Sequence, residues 1–455
     1  MAGNHKKQKK ALRFTPTQII AISFAALILL GTVLLALPIA SRDGQSAGLL
    51  TSLFTATSST CVTGLILVDT WTQWSGFGQI VILTLIEIGG LGFMSAASMV
   101  VFVLRRKVGL RQRMLMAQAL NVNEMDGVVR LQKWVLLGSL IIQLTGASIL
   151  FLRFFCTGET LAQSAKWSIF HAVSAFCNAG FDITGCVAPG ANMIVFNQDP
   201  VVMITLMLLV VIGGLGFFVW EEVATTRRFR NFSVYTKLVL LTSMVLILGG
   251  ALLYGILEWN NPATLGAMDT PHKILNAFFQ SVTVRTAGFT GVDQAVLTDG
   301  SKGLSVVLML IGGSSGSTAG GLKTVTVLVL FLFVLSRARG RSTVTVFKRT
   351  IPHEKIMDAA TIVSLVGGLA VAGAIIICAT SPVGFADALF ETSSALATVG
   401  LTAGVTPSLS LFAKLMIIVF MYFGRVGILT LSLGFMMGDK AEQRFRYADT
   451  NLLIG

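Results

Sequence analysis

Apolar residues in this chain come in runs near 17–38, 78–103, 131–155, 200–223, 235–258, 304–336, 357–380 and 411–437. Each is long enough to cross a bilayer, which takes about 20 residues at helical rise. Between each odd run and the even run after it sits a shorter apolar stretch with small and polar residues. The four short stretches align as LFTATSSTCVTGL (53–65), IFHAVSAFCNAGF (169–181), AFFQSVTVRTAGF (277–289) and LFETSSALATVGL (389–401). Phe holds the second position in all of them (Phe54, Phe170, Phe278, Phe390) and Gly the twelfth (Gly64, Gly180, Gly288, Gly400). Coincidence at both positions in four equally placed windows is improbable, so internal repetition defines the architecture.

The pattern predicts an all-α polytopic membrane protein of four helix–pore-loop–helix repeats, with eight spanning helices and four re-entrant helices. The repeats occupy 17–103, 104–223, 224–336 and 337–437, the last three each including the cytoplasmic loop before it, between tails 1–16 and 438–455. Every unit enters and leaves on the same side, so the units are parallel. They therefore arrange with pseudo-fourfold symmetry around an axis along the membrane normal.

Composition agrees: 54% of the 455 residues are hydrophobic and 12% charged, where a soluble domain has about a quarter charged. A water-soluble globular, disordered or collagenous chain is excluded. The net charge of +13 alone would fit a nucleic-acid binder, but its placement does not. With the N-terminus inside, the segments 1–16, 104–133, 224–237, 337–355 and the tail from 438 hold 25 of the 34 Lys and Arg residues. That asymmetry orients the chain in a cell membrane with both termini cytoplasmic. It is a topology device, and no nucleic-acid partner is expected. The first run follows a basic stretch, yet it is too long for a signal peptide, and Pro38 and Arg42 replace a small-residue cleavage site; it reads as a retained helix. Five cysteines are too few for a disulfide scaffold, and a Cys156–Cys186 pairing on the outer side of repeat two is left open. Trp71, Trp74, Trp167 and Trp259 fall near the outer interface, as belt aromatics do.

Irregular backbone at membrane depth survives only when buried or lining water. Four copies of it around one axis place carbonyls in rings that replace the hydration shell of a cation. Glycine serves there because it admits backbone angles that a Cβ forbids. A second irregular place is the sixth run, interrupted by Gly312-Gly313-Ser314-Ser315-Gly316-Ser317-Thr318-Ala319-Gly320-Gly321. Five glycines in ten residues cannot form a stable lipid-facing helix, so this run unwinds, whereas IGGLGF at 88–93 and 212–217 is expected to continue as helix. GSTAGGLKT (316–324) nearly reads as a phosphate-binding loop, but Leu322 separates Gly321 from Lys323 and no strand precedes it.

The four aligned segments, the IGGLGF motifs, the Gly/Ser stretch at 312–321 and GRVG (424–427) together resemble the membrane subunit of the Trk/Ktr/HKT superfamily of potassium transporters, of the Ktr type. The resemblance covers essentially the whole chain. It implies potassium uptake through a selectivity filter of Val62, Thr63, Gly64, Asn178, Ala179, Gly180, Thr286, Ala287, Gly288, Thr398, Val399 and Gly400. It implies that 312–321 is an intramembrane gating loop, with Arg425 positioned to hold it or to form a barrier. The ninth positions, Cys61, Cys177, Arg285 and Ala397, come just below the filter; Arg285 is expected behind it, donating to carbonyls, and Glu391 on the fourth short helix to orient filter backbone. Also implied are a homodimer and a cytosolic RCK/KTN-type nucleotide-binding regulatory ring, with potassium as substrate and sodium as a possible activator. A Trk-type or sodium-conducting relative and an alternating-access transporter stand as alternatives. An intramembrane enzyme does not: no HExxH spacing or Ser/His arrangement is present.

Overall fold

The computed structural model describes residues 16–92 and 128–427. The basic tail 1–15, most of the 104–133 loop, Phe93, the end of the eighth run and the tail 438–455 lie outside the described residues.

Among the described residues, four helices are long and apolar enough to cross a membrane: Gln18–Ala36, Val128–Cys156, Val234–Glu258 and His353–Thr380. Each opens one repeat. They turn large side chains such as Leu29, Leu137, Leu252, Ile256 and Ile375 outward, as expected of a surface solvated by lipid. The short stretches form helices Leu49–Thr60, Leu161–Phe176, Thr270–Thr283 and Phe385–Ala397, which are polar and buried. Thr55, Thr57, Ser58, Ser59 and Thr60 of the first, and Thr392, Ser393 and Ser394 of the last, are almost wholly enclosed. Apolar outside and hydroxyl-rich inside is the order that a hydrocarbon solvent imposes.

The second helix of each repeat starts at a side-chain cap in the same place. Ser75 accepts from the Gly78 N–H, Asp199 from Val201, Thr298 from Ser301 and Ser410 from Ala413. These helices are Gly76–Leu91, Pro200–Leu215, Asp299–Leu310 and Leu411–Val426; the third breaks off before the Gly/Ser stretch as the sequence predicts, but the other three do not run straight through as expected. Three stop at glycines in the left-handed region: Gly92 (φ 85°), Gly216 (φ 97°) and Gly427 (φ 93°). After Gly216 the chain resumes as Phe217–Thr226, bent by 96°. At 12–16 residues the straight parts are roughly 18–24 Å long, less than a bilayer core. The pattern of apolar letters is the same for a straight helix and for two half-helices with a glycine elbow.

One other expectation is corrected, and the open Cys156–Cys186 question is answered. Trp74 and Trp167 are 1% exposed; Trp167 packs edge-on to Phe154 and Phe196 and is core, while Trp71 lies between the cations of Arg42 and Lys166. Cys156 and Cys186 are free, exposed thiols. Within the fourth basic segment, Thr345–Val346 and Arg349–Thr350 pair as a small antiparallel hairpin that no apolar periodicity announces.

Candidate functional site: a ring of four glycines and the loop beside it

The four short helices end alike. The residue at position ten of each aligned segment is left-handed: Val62 (φ 56°), Asn178 (φ 59°), Thr286 (φ 69°) and Thr398 (φ 52°). Two residues later the glycines are left-handed too, Gly64 (φ 95°), Gly180 (φ 68°), Gly288 (φ 78°) and Gly400 (φ 93°). Non-glycine residues rarely adopt such angles. Four in register are held by the surrounding structure.

What holds them is mutual. A Cβ on Gly64 would strike the carbonyl oxygen of Ala179, and one on Gly180 would lie 2.6 Å from that of Ala287. A Cβ on Gly288 would strike the Val399 carbonyl, and one on Gly400 that of Thr63. The succession runs from repeat one to two, three, four and back to one. The glycines and the carbonyls of Thr63, Ala179, Ala287 and Val399 therefore interleave in a closed ring. Between neighbours, the Asn178 Nδ2 donates to Thr286 Oγ1 at 3.3 Å.

Side chains not singled out from the sequence brace each turn. In repeats one and four, Ser58 and Ser394 accept from the N–H of Gly64 and Gly400 at 3.0 and 3.1 Å. In repeats two and three, Ser174 and Thr283 donate to the carbonyls of Phe181 and Phe289, just past the glycine. Their one sequence signal was Ser at the sixth aligned position in three of the four repeats. Glu391, fully buried, accepts from the Ala403 N–H at 3.1 Å and from the hydroxyls of Thr402 and Thr406. It thus braces the strand that leaves Gly400. His171, at the same aligned position in repeat two, accepts from the Ile183 N–H at 3.4 Å and meets the Trp167 carbonyl.

Between Leu310 and Thr324 the chain is not helical. This Gly/Ser stretch lies against the inner ends of the turns. Thr318 Oγ1 donates to the Phe176 carbonyl at 3.0 Å and to Asn178 Oδ1 at 3.4 Å. The amides of Ser314 and Thr318 donate to Gly214 and Gly213, and the Phe217 amide donates to Gly316. On its other side a Cβ at Gly321 would lie 3.2 Å from Ala397, and one at Gly320 would strike Thr398. Arg425 fastens it: the guanidinium donates to the Thr318 carbonyl and to the carbonyls of Gly89 and Gly90. One side chain from repeat four thus ties the stretch to repeat one. Lys323 donates to the Ala319 carbonyl at 2.9 Å and so serves the stretch itself.

The remaining ninth-position residues do different things. Arg285 does not donate to ring carbonyls among the described residues; its Nη2 donates to Ser243 Oγ at 3.3 Å, on the first helix of its own repeat. The helix of repeat three ends one aligned position early, at Thr283, with Val284 as its cap. Cys177 donates to Glu87 at 3.3 Å, and Gln143 donates to the same carboxylate at 3.0 Å, so Glu87 joins repeats one and two. Cys61 is wholly buried as apolar filling.

Residues 2–444 match the TrkH family, described as cation transport protein. The chain is 38% identical over 458 residues to the potassium/sodium uptake protein NtpJ of Enterococcus hirae, covering 99% of each. It is 40% identical over 452 residues to the Ktr system potassium uptake protein B of Bacillus subtilis, covering 98% of each. In fold it is similar to the crystal structure of the potassium transporter TrkH from Vibrio parahaemolyticus, with a TM-score of 0.70, 19% identity, 94% of this chain and 86% of that one. This is a multi-pass membrane protein and not an enzyme: the chain belongs to the TrkH family of cation transport proteins, as a Ktr-type membrane subunit of the Trk/Ktr/HKT superfamily.

Proposed function

We propose that this chain takes up potassium across the cell membrane through the ring of Val62-Thr63-Gly64, Asn178-Ala179-Gly180, Thr286-Ala287-Gly288 and Thr398-Val399-Gly400. The observation that carries the reading is the closed succession in which each glycine faces the preceding carbonyl of the next repeat. Carbonyl dipoles converging from four sides take over from water around a monovalent cation. The names of the relatives in Enterococcus hirae and Bacillus subtilis support potassium as the ion. The first of those names also supports sodium as a second transported ion.

Residues 312–321 act as the gate. The stretch joins the inner ends of repeats two and four, and its outermost tie is Arg425. Release of that tie lets the stretch swing from the axis and opens the path. Control of the release is assigned to a cytosolic RCK/KTN-type nucleotide-binding ring under a homodimer with one pore per protomer, and both termini are cytoplasmic. The word "system" in the relatives' names supports a partner subunit.

The test is flux in liposomes containing the purified chain. Potassium entry at negative internal potential is expected, steep in voltage, and sharply reduced in Gly64→Ala. Absence of flux, or an unaltered Gly64→Ala, would overturn the reading. Shortening 312–321 by several residues is expected to raise flux in the absence of any partner; unchanged flux would remove the gate assignment.

A further inference from the structure

The ring has fourfold connectivity but not fourfold surroundings. From the ring glycine to the cap of the next helix, repeat two runs from Gly180 to Asp199. The other repeats run from Gly64 to Ser75, Gly288 to Thr298 and Gly400 to Ser410, about half that length. The extra chain of repeat two folds back over the ring and brings Asn192 to it.

Asn192 is left-handed, with φ 50°. Its backbone carbonyl accepts from Thr184 Oγ1 at 3.0 Å, and Thr184 is itself held by the buried Asp182, which accepts from its N–H at 3.0 Å. The Asn192 Oδ1 accepts from the N–H of Met193 at 2.7 Å and of Thr290 at 3.4 Å. Both are backbone donors, so the oxygen of the amide is identified by its partners. The nitrogen, Nδ2, is left facing the carbonyl of Gly180 and donates to it at 3.3 Å. No such bond reaches the carbonyls of Gly64, Gly288 or Gly400 among the described residues. A rare backbone conformation held by several bonds, at the edge of a functional ring, is where stored strain serves a purpose.

We propose that Asn192 is a specificity-determining positioning residue. Its amide clamps the outermost carbonyl of repeat two to the strand of repeat three, two residues past Gly288. A smaller cation is coordinated well only if the carbonyls close inward. A carbonyl tethered from outside resists that movement, and a hydrogen bond already accepted lowers its pull on the ion. Both effects disfavour sodium relative to potassium. The inference rests on the filter reading above.

The experiment uses the full chain in liposomes, with potassium and sodium fluxes measured in parallel. Asn192→Asp keeps the acceptor for Thr290 and the tolerance for a left-handed backbone but removes the donor. Asn192→Gly keeps the backbone angle and removes the whole side chain. Both are expected to lower the potassium-to-sodium flux ratio by roughly two- to tenfold, the worth of one hydrogen bond. Asn192→Asp adds a charge that itself favours the smaller ion, so Asn192→Gly, which adds none, is the variant whose ratio reports the lost donor. Gly180→Ala is the control for the ring, read as total flux. If it lowers flux or changes the ratio while both Asn192 variants keep the wild-type ratio, the role of Asn192 is overturned. If Gly180→Ala leaves flux and ratio unchanged, the filter reading falls, and this inference with it.

Discussion

Two glycine-rich regions meet near the axis, and they differ in how they are held. In the ring, at Gly64, Gly180, Gly288 and Gly400 a Cβ would collide with backbone of the next repeat. Backbone cannot yield as a flexible side chain can. In the stretch 312–321 five glycines prevent a helix, and there too neighbours press close: a Cβ at Gly313 would strike Ala319 and one at Gly320 the Thr398 side chain. The freed groups are held by backbone bonds to Gly213, Gly214 and Phe217 and by side-chain bonds from Tyr235, Arg425 and Lys323. The ring's contacts recur four times between backbones of different repeats; the stretch occurs in one repeat and is fastened chiefly by hydrogen bonds.

The largest expected effect is at the ring. Gly400→Ala forces a Cβ onto the Thr63 carbonyl and a left-handed alanine together, and should abolish potassium flux in liposomes. Wild-type flux in this variant would mean that the ring is not interlocked. Next comes Arg425→Gln, which removes up to three charge-assisted bonds to carbonyls. Flux without partner should rise at least tenfold, since even one such bond is worth about 1.5–3 kcal/mol; a fall would assign Arg425 to the ring and not to the gate. Glu391→Gln leaves at least one of three donors in repeat four without its acceptor, at a cost of about 1–3 kcal/mol, visible as a lower thermal midpoint in detergent. Ser58→Ala and Ser394→Ala each remove one bond to a ring glycine amide, and should cost about 1 kcal/mol each with flux changed only severalfold. Smallest of all is Gly367→Ala, where a Cβ meets nothing within 4 Å. Its flux should be unchanged and its stability higher by about 0.5–1 kcal/mol, which separates glycine as a packing necessity from glycine as composition.

Much of this was legible before any coordinates. Four windows sharing Phe at one position and Gly at another located every strand of the ring, because a repeated backbone conformation demands the same permissive residue each time. The density of glycine at 312–321 located the break in the sixth run, because no packing compensates five glycines in a helix. Less legible were the bracing side chains. Ser58 and Ser394 accept where Ser174 and Thr283 donate, and Thr283 stands one aligned position later, so no single motif describes them. Arg285 could not be placed, since its partner Ser243 lies 42 residues away on another helix.

By itself, then, the order of residues determined that the chain is a polytopic helical membrane protein and picked out the four like segments with their glycines, since hydropathy and permitted backbone angles are local properties. The tertiary structure alone decided that the glycines interlock in succession, that Gly216 is an elbow, and that Arg425 of repeat four reaches carbonyls of repeats one and three. Those facts depend on distances between segments more than 100 residues apart, and such distances are set by how the repeats pack.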